Sequence, residues 1–407
     1  MNMALREPER DAAIPAGTGP RLARIEIAHE IEAFAPLWRS LERHGVASPY
    51  QHFHWIRLWD EAVSRPQHQV PLIVAGFDAA GEALFLWPLL RGELGPFRTA
   101  SFFGGKHATL NVGLWSPHAA FDGAAMHAAL QQLASRAPDL DFVTLFAQPQ
   151  SWNGFANPFA LLPRHRSTED NFILNLAGRP GKEVIECELS GSMRSRLRNK
   201  ERKLAKLPGY RYLRAATAAE VDWCLDAFFA QKAAKLAALG LDNVFAHPGL
   251  EAFVRAACHE GLDRGSPVIE LHALAGDGEM LALFSGIHDG RRYTSMFNSH
   301  TGSDHARYSP GLILLQHLIV DCADRGFEVF DVGPGEARYK TFFCKTIEPI
   351  FDSILPLSPR AKLAAPAVRG LFALKSEIKH NPALWSVASF VRRTLNRNRR
   401  EPNGADD

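Results

Sequence analysis

The chain has 407 residues, 46% of them hydrophobic and 22% charged, a size and balance that suit two or three domains with sizeable cores and exclude a disordered or fibrous chain. A formal net charge of +2 excludes a global field for nucleic acid, so any basic surface is local. The five cysteines form no CxxC pair and read as reduced thiols, which argues against a disulfide scaffold and against a zinc site.

The first twenty residues mix charges with Pro and Gly and hold no apolar core of a signal peptide, so they read as a disordered leader. No apolar run reaches the roughly 18 residues that cross a bilayer. The expected location is cytoplasmic, or peripheral at the inner membrane. Residues 21–178 read as a first α/β domain. Ile31, Phe34, Leu37, Trp38 and Leu41 recur at helical spacing, and a short helix around Trp55 and Trp59 follows the aromatic segment YQHFHW. Strands are expected over 71–77, 83–90 and 98–103, then a helix over 123–135 and a buried strand over 142–146. In the loop GGKHATLN, residues 104–111, two glycines precede Lys106 and His107. His107 is a candidate general base or substrate contact, and the plain alternative is a turn with a satisfied histidine. His52 and His54 read as packing residues.

Near Ser190 the composition changes to SGSMRSRLRNKERKLAKLPGY. After a serine suited to the N-cap, Arg194, Arg196, Arg198, Lys200, Arg202, Lys203 and Lys206 crowd a helix that carries Leu197, Leu204 and Leu207 on another face. This is either a solvated charged face or an anion clamp for phosphates or an RNA backbone. The lack of aromatic platforms weighs against single-strand binding. Beyond it the pattern predicts a strand over 210–215, helices over 218–239 and 250–262, and strands over 268–275, 280–288 and 293–298. A strand over 349–355 is expected to close this second unit, residues 179–358.

The stretch 308–345 organises that unit. Ser309 suits an N-cap and Pro310 the first helical turn, and Leu312, Leu315, Ile319 and Cys322 follow at helical spacing until Gly326. Phe327, Val329 and Val332 then read as a strand ending at Asp331, Gly333 and Gly335. Free N–H groups at the helix start form an anion site that suits a phosphorylated cofactor, while the plain alternative is an ordinary α/β unit with turns.

The LRNKERKL helix, the YSPG-led helix, the FDVGPGEARYK run and the PYQHFHWIRLW segment together resemble the CelD or BcsL type of bacterial GNAT-related acetyltransferases, which often carry a cellulose-biosynthesis label. The resemblance covers most of residues 30–357. It implies an α/β fold of tandem GNAT-like domains, mixed central sheets flanked by helices, related to the FemAB aminoacyltransferases. It also implies transfer of an acyl group from acetyl-CoA or a longer acyl-CoA to an amine or hydroxyl of a polysaccharide, lipid precursor or small metabolite. No metal and no DNA partner is implied. Arg307, Tyr308, Ser309 and Gly311 occupy the family position that grips the cofactor pyrophosphate, with Lys340 neutralising phosphate or substrate charge. Pro310 removes one amide donor there, and the glycine pattern is reduced to Gly311. Tyr339 matches the tyrosine that protonates the leaving thiolate, and Asp331 or Glu336 would accept the nucleophile's proton. Asp331 and Lys340 are alternatively a structural ion pair. The first domain then serves as acceptor-side wall, with His107, Lys106 and Asn111 facing a shared cleft, and Arg198 as a further substrate contact. Two other readings stand beside this one. The first is a tRNA-dependent aminoacyltransferase whose basic helix touches RNA, and the second is a non-catalytic member of a polysaccharide-synthesis system.

Residues 359–407 form a basic tail. From Pro366 two short amphipathic helices are expected, apolar at Leu371, Phe372, Leu374, Ile378, Leu384, Trp385, Val387 and Phe390 and basic at Arg392, Arg393, Arg397, Arg399 and Arg400. An anionic membrane surface is one candidate partner; a helix pair docked on the body is the other reading.

Overall fold

The computed structural model describes residues 19–335 and 339–381. β1 (Arg24–Ala28) leads through α1 (Ala35–His44), the short β2 (Val46–Ala47) and α2 (Phe53–Trp59) into an antiparallel meander of β3 (Pro71–Phe77), β4 (Ala83–Leu94) and β5 (Phe97–Phe102). α1 buries Trp38 and Leu41, and α2 buries Trp55, Ile56, Leu58 and Trp59, the apolar stripes that their spacing predicts. β6 (Leu114–Trp115) pairs with β4, α3 (Gly123–Arg136) crosses over, and β7 (Phe142–Pro149) returns parallel to β5. A hairpin of β8 (Ser151–Trp152) and β9 (Phe155–Ala156) and the short β10 (His165–Arg166) follow.

The same order then recurs. After β11 (Asn171–Asn175), α4 (Gly181–Glu188) and α5 (Gly191–Leu204) come β12 (Arg211–Arg214), α6 (Ala218–Ala238) and α7 (Leu250–His259). Ser190 and Thr217 accept backbone N–H bonds at the starts of α5 and α6, which fixes where those helices begin. A second antiparallel meander, β13 (Glu270–Gly276), β14 (Glu279–His288) and β15 (Arg292–His300), precedes α8 (Pro310–Asp324), and β16 (Val329–Pro334) returns parallel to β15. The chain closes with α9 (Lys340–Phe343), β17 (Thr346–Glu348), β18 (Ile350–Pro356) and α10 (Pro359–His380).

Among the described residues the main strands fall into a nine-stranded and a seven-stranded sheet, and here the expected closing strand is corrected. β18 does not close the second sheet; it pairs antiparallel with β7 of the first, and β10 pairs with its other edge. Reciprocally β11, which precedes residue 178, pairs antiparallel with β16 and β17 in the second sheet. The physical reason is the same in both halves. The strand that returns parallel after the crossover helix presents an unpaired row of N–H and C=O groups on its far side, and the strand supplied by the other half satisfies it. One apolar core runs across both halves: Phe253 of α7 lies 5.1 Å from Trp55 and 5.0 Å from Trp59, ring to ring. A second core lies under α8, around Leu314, Leu318, Phe330 and Phe343. No helix among the described residues is long and apolar enough to cross a membrane.

Candidate functional site

β15 and β16 pair through Arg292 with Val329, Tyr293 with Phe330 and Thr294 with Asp331. β15 then continues to His300 and β16 to Pro334, so the two parallel strands part toward their C-terminal ends. On its other edge β15 carries a bulge against β14, where the register passes from Phe284 opposite Asn298 to Gly286 opposite Ser295. A bulge bends its strand, which widens the gap to β16. Gly333 has φ +82°, and a Cβ there would stand 3.3 Å from the Ser295 carbonyl oxygen, so the glycine keeps the mouth of the gap clear. Beside it Ser295 Oγ is buried and makes no hydrogen bond.

The closed end is tied by charge. Arg292 donates to Asp331 Oδ2 from Nη2 at 2.6 Å and from Nε at 3.1 Å, and to Glu348 Oε2 from Nη2 at 2.6 Å. Thr294 Oγ1 and the Gly333 N–H also donate to Asp331, at 3.4 and 2.7 Å. Burial works against the Arg292 charge, but Glu348 and Asp331 more than restore it and hold its pKa above the ordinary value. The Trp152 ring of the first half lies 4.6 Å from the guanidinium. Asp331 is therefore in an ion pair, but its partner is Arg292 and not Lys340. Lys340 is 6% exposed and curls back to donate to the carbonyls of Gly333 and Pro334, at 2.9 and 2.7 Å. The expectation that it meets a phosphate is corrected: its ammonium is spent inside, where it holds the glycine turn after β16. Tyr339 sits across the open end, its hydroxyl accepting from Asn298 Nδ2 of β15 at 3.4 Å, and burial raises its pKa. Glu336 lies outside the described residues.

At the start of α8, Ser309 stands in the left-handed region at φ +56° and its hydroxyl caps no N–H, contrary to the expected cap. The hydroxyl instead accepts from Lys200 Nζ of α5 at 2.7 Å. α5 is pinned to α8 by Glu201, whose Oε1 is 2.5 Å from His317 Nε2 and accepts from the Tyr210 hydroxyl at 3.0 Å. The His317 bond holds the Glu201 carboxyl below its ordinary range. Arg307 is exposed with its guanidinium 5.1 Å from the Tyr308 ring, and a Cβ placed on Gly311 meets open space. Lys200, Arg307 and the helix start thus bring positive charge and open backbone together, which suits a phosphate-bearing ligand. Arg198 is exposed on the same basic helix.

In the first half, the 104–111 loop turns at Gly104, φ +86°, with the His107 N–H donating to the Gly104 carbonyl at 2.8 Å. Lys106 is exposed. The His107 ring lies 5.9 Å from Trp59 of its own half and 6.0 Å from Phe245 of the other, and burial pushes its pKa down to about 4. Phe245 in turn is 5.7 Å from Phe297 of β15. Asn111 is corrected as a substrate contact. Its amide is 3% exposed and is used up by Gln51 Nε2 and the Ala108 and Phe146 carbonyls. His52 and His54 are not merely packed. With Glu42, Glu260, Arg264 and His288 they line a cavity of ≈ 250 Å³ between the halves, at the end of β14 remote in the hairpin from His300. Sequence reasoning did not single out Arg292, Asn298, Glu348 or Lys200. Only Lys200 carried a signal, as one of the crowded cations of α5.

Residues 191–341 match the family described as the Acetyltransferase (GNAT) domain. Among solved structures the chain resembles FemX, at 10% identity over 84% of this chain and 99% of that one, with a TM-score of 0.58. It also resembles the C-terminal domain of a putative lysylphosphatidylglycerol synthetase from Agrobacterium fabrum, at 13% identity over 84% and 96% of the two chains, with a TM-score of 0.48. L-PGS from Bacillus licheniformis is similar at 10% identity over 83% and 96%, with a TM-score of 0.46. No curated protein matches the chain. The fold is mixed α/β with tandem GNAT-like units, each a meander, a crossover helix and a parallel strand.

Proposed function

We propose that the chain transfers an acyl group from acetyl-CoA or a longer acyl-CoA to an amine or hydroxyl on a glycan, lipid precursor or small metabolite. The observation that carries this reading is the Tyr339 hydroxyl bonded to Asn298 where β15 and β16 part; the start of α8, which follows β15 in the chain and is met by Lys200, supports it. The residues fit a pyrophosphate. Lys200 and Arg307 supply charge, the open Gly311 position allows close approach to backbone, and Ser309 orients Lys200. Acyl-coenzyme A, held through its pyrophosphate by Lys200, Arg307 and the Gly311 backbone, would supply a thioester as the acyl donor and leave as the free thiol. Tyr339, kept protonated by burial, holds a proton for the leaving sulfur. His107, kept neutral by burial, is the acceptor-side base in this reading. Asp331 acts as a positioning residue: bound to Arg292, it holds the closed end of the gap against which the reacting groups are aligned.

A second reading is aminoacyl transfer from a charged tRNA, supported by the exposed cations of α5 beside the α8 start. Calorimetry with acetyl-CoA, long-chain acyl-CoA and charged tRNA tests both. Binding of an acyl-CoA is the expected result, and Tyr339→Phe should then retain that affinity and melting temperature while turnover, followed as thiol release, falls by about 10²–10⁴. Binding of charged tRNA alone, with a steep salt dependence, replaces the first reading by the second. A chain that binds no donor fits the non-catalytic role in a polysaccharide-synthesis system, and overturns both.

A further inference from the structure

α10 packs on the first sheet by one face only. Ala361 and Ala365 are buried beside Phe142 and Ile354, Phe372 stacks on Phe146 with ring centres 5.6 Å apart, and Ser376 Oγ donates to the Ser167 carbonyl at 3.0 Å. The opposite face is apolar and bare. Leu363 is 86% exposed, Leu371 68% and Leu374 56%, and the exposed Ala367 and Gly370 fill the positions between them. Wound at 3.6 residues per turn, these five positions fall within an arc of about 100°, one continuous stripe roughly 17 Å long. An exposed apolar strip of this kind marks an interaction surface.

Charge identifies what covers it. Exposed Lys362 and Lys375 border the stripe on its two sides, with Glu377 the acidic residue of the helix. Arg360 and Lys379 are already committed, to Asp141 and Glu169. The segment that follows adds Arg392, Arg393, Arg397, Arg399 and Arg400. The chain's own arginine-rich end folded back on the stripe would bring arginine against lysine, a repulsive contact. An anionic surface with an apolar interior satisfies the leucines and the flanking cations together. We propose that the outer face of α10 docks on an anionic lipid bilayer, with Leu363, Leu371 and Leu374 entering the acyl boundary and Lys362 and Lys375 meeting headgroup phosphates. The proposal is independent of the chemistry assigned to the β15–β16 gap.

The test is co-sedimentation of the full chain with phosphatidylglycerol vesicles and with phosphatidylcholine vesicles. The chain is expected to pellet with the first far more than with the second, and to release as salt rises. The triple variant Leu363→Gln, Leu371→Gln, Leu374→Gln should lower the pelleted fraction at least about tenfold, with an unchanged melting temperature, because only exposed side chains are altered. Absence of pelleting with phosphatidylglycerol overturns the proposal, as does pelleting that the triple variant leaves unchanged. Light scattering supplies a further check: a dimer that the triple variant splits, without vesicle binding, overturns it in favour of a second copy. Vesicle-independent protection of the segment after residue 381 from protease, lost in the triple variant, overturns it in favour of the chain's own end.

Discussion

Glu42 lines the cavity between the halves, and its carboxyl accepts the Phe53 N–H at the start of α2. Burial pushes its pKa from 4.5 up to about 7, against the pull of that bond and of Arg39 and Arg43. The folded protein therefore holds this proton more tightly than the unfolded chain. The stability linked to it is complete below about pH 4.5 and is lost as pH rises through about 7. Glu42→Gln keeps the acceptor oxygen and removes the titration. Relative to the parent, the variant is expected to be equally stable near pH 4 and to gain on the order of 2–3 kcal/mol by pH 8. Urea unfolding at both pH values measures this, and parallel pH profiles would contradict it. His107 shows the opposite case in the same interface: burial strips its charge, so at neutral pH it offers a lone pair instead of a cation.

At the scale of elements, the gap depends on a strand pair that is locked at one end and free at the other. Arg292 locks it, and it is 4% exposed. Arg292→Ala would leave Asp331 and Glu348 facing each other without compensation, and a loss of about 3–5 kcal/mol is expected in denaturant unfolding. A loss below about 1 kcal/mol would show that water or relaxation replaces the guanidinium. Most of these elements were legible in the sequence. The helical pattern over 218–239 matches α6, and β16 follows the Gly326 stop, so periodicity and punctuation sufficed. The direction of single polar side chains was not legible. Lys340 and Asn111 stand in motifs that look reactive, yet both turn inward onto backbone carbonyls. Arg292 opens β15 just outside the strand expected over 293–298, and tertiary packing buries it against Trp152. Such choices depend on which carbonyls and carboxylates the fold leaves unmet, and local spacing carries no record of that.

For the whole molecule, the exchange of β11 and β18 means that neither sheet is complete without the other half's strand. Fragments 1–178 and 179–407, expressed separately, are each expected to lack cooperative thermal unfolding, whereas the two produced together should reassemble. Two fragments that melt cooperatively on their own would refute this. The shared core around Trp55, Trp59 and Phe253 points the same way, since a cut between the halves exposes it on both sides.

The same exchange sets a timetable for the ribosome. The β7 edge waits for residues 350–356, which are made after nearly the whole of the second unit. Nascent chains usually complete an N-terminal domain before the next one emerges, but here the earliest sheet stays open through most of translation. An open strand edge is a template for pairing with other chains, so crowded polysomes are where this protein is most exposed to misassembly. Slowing elongation after residue 178 would prolong that exposure, and the soluble yield would fall even though the finished sequence is unchanged.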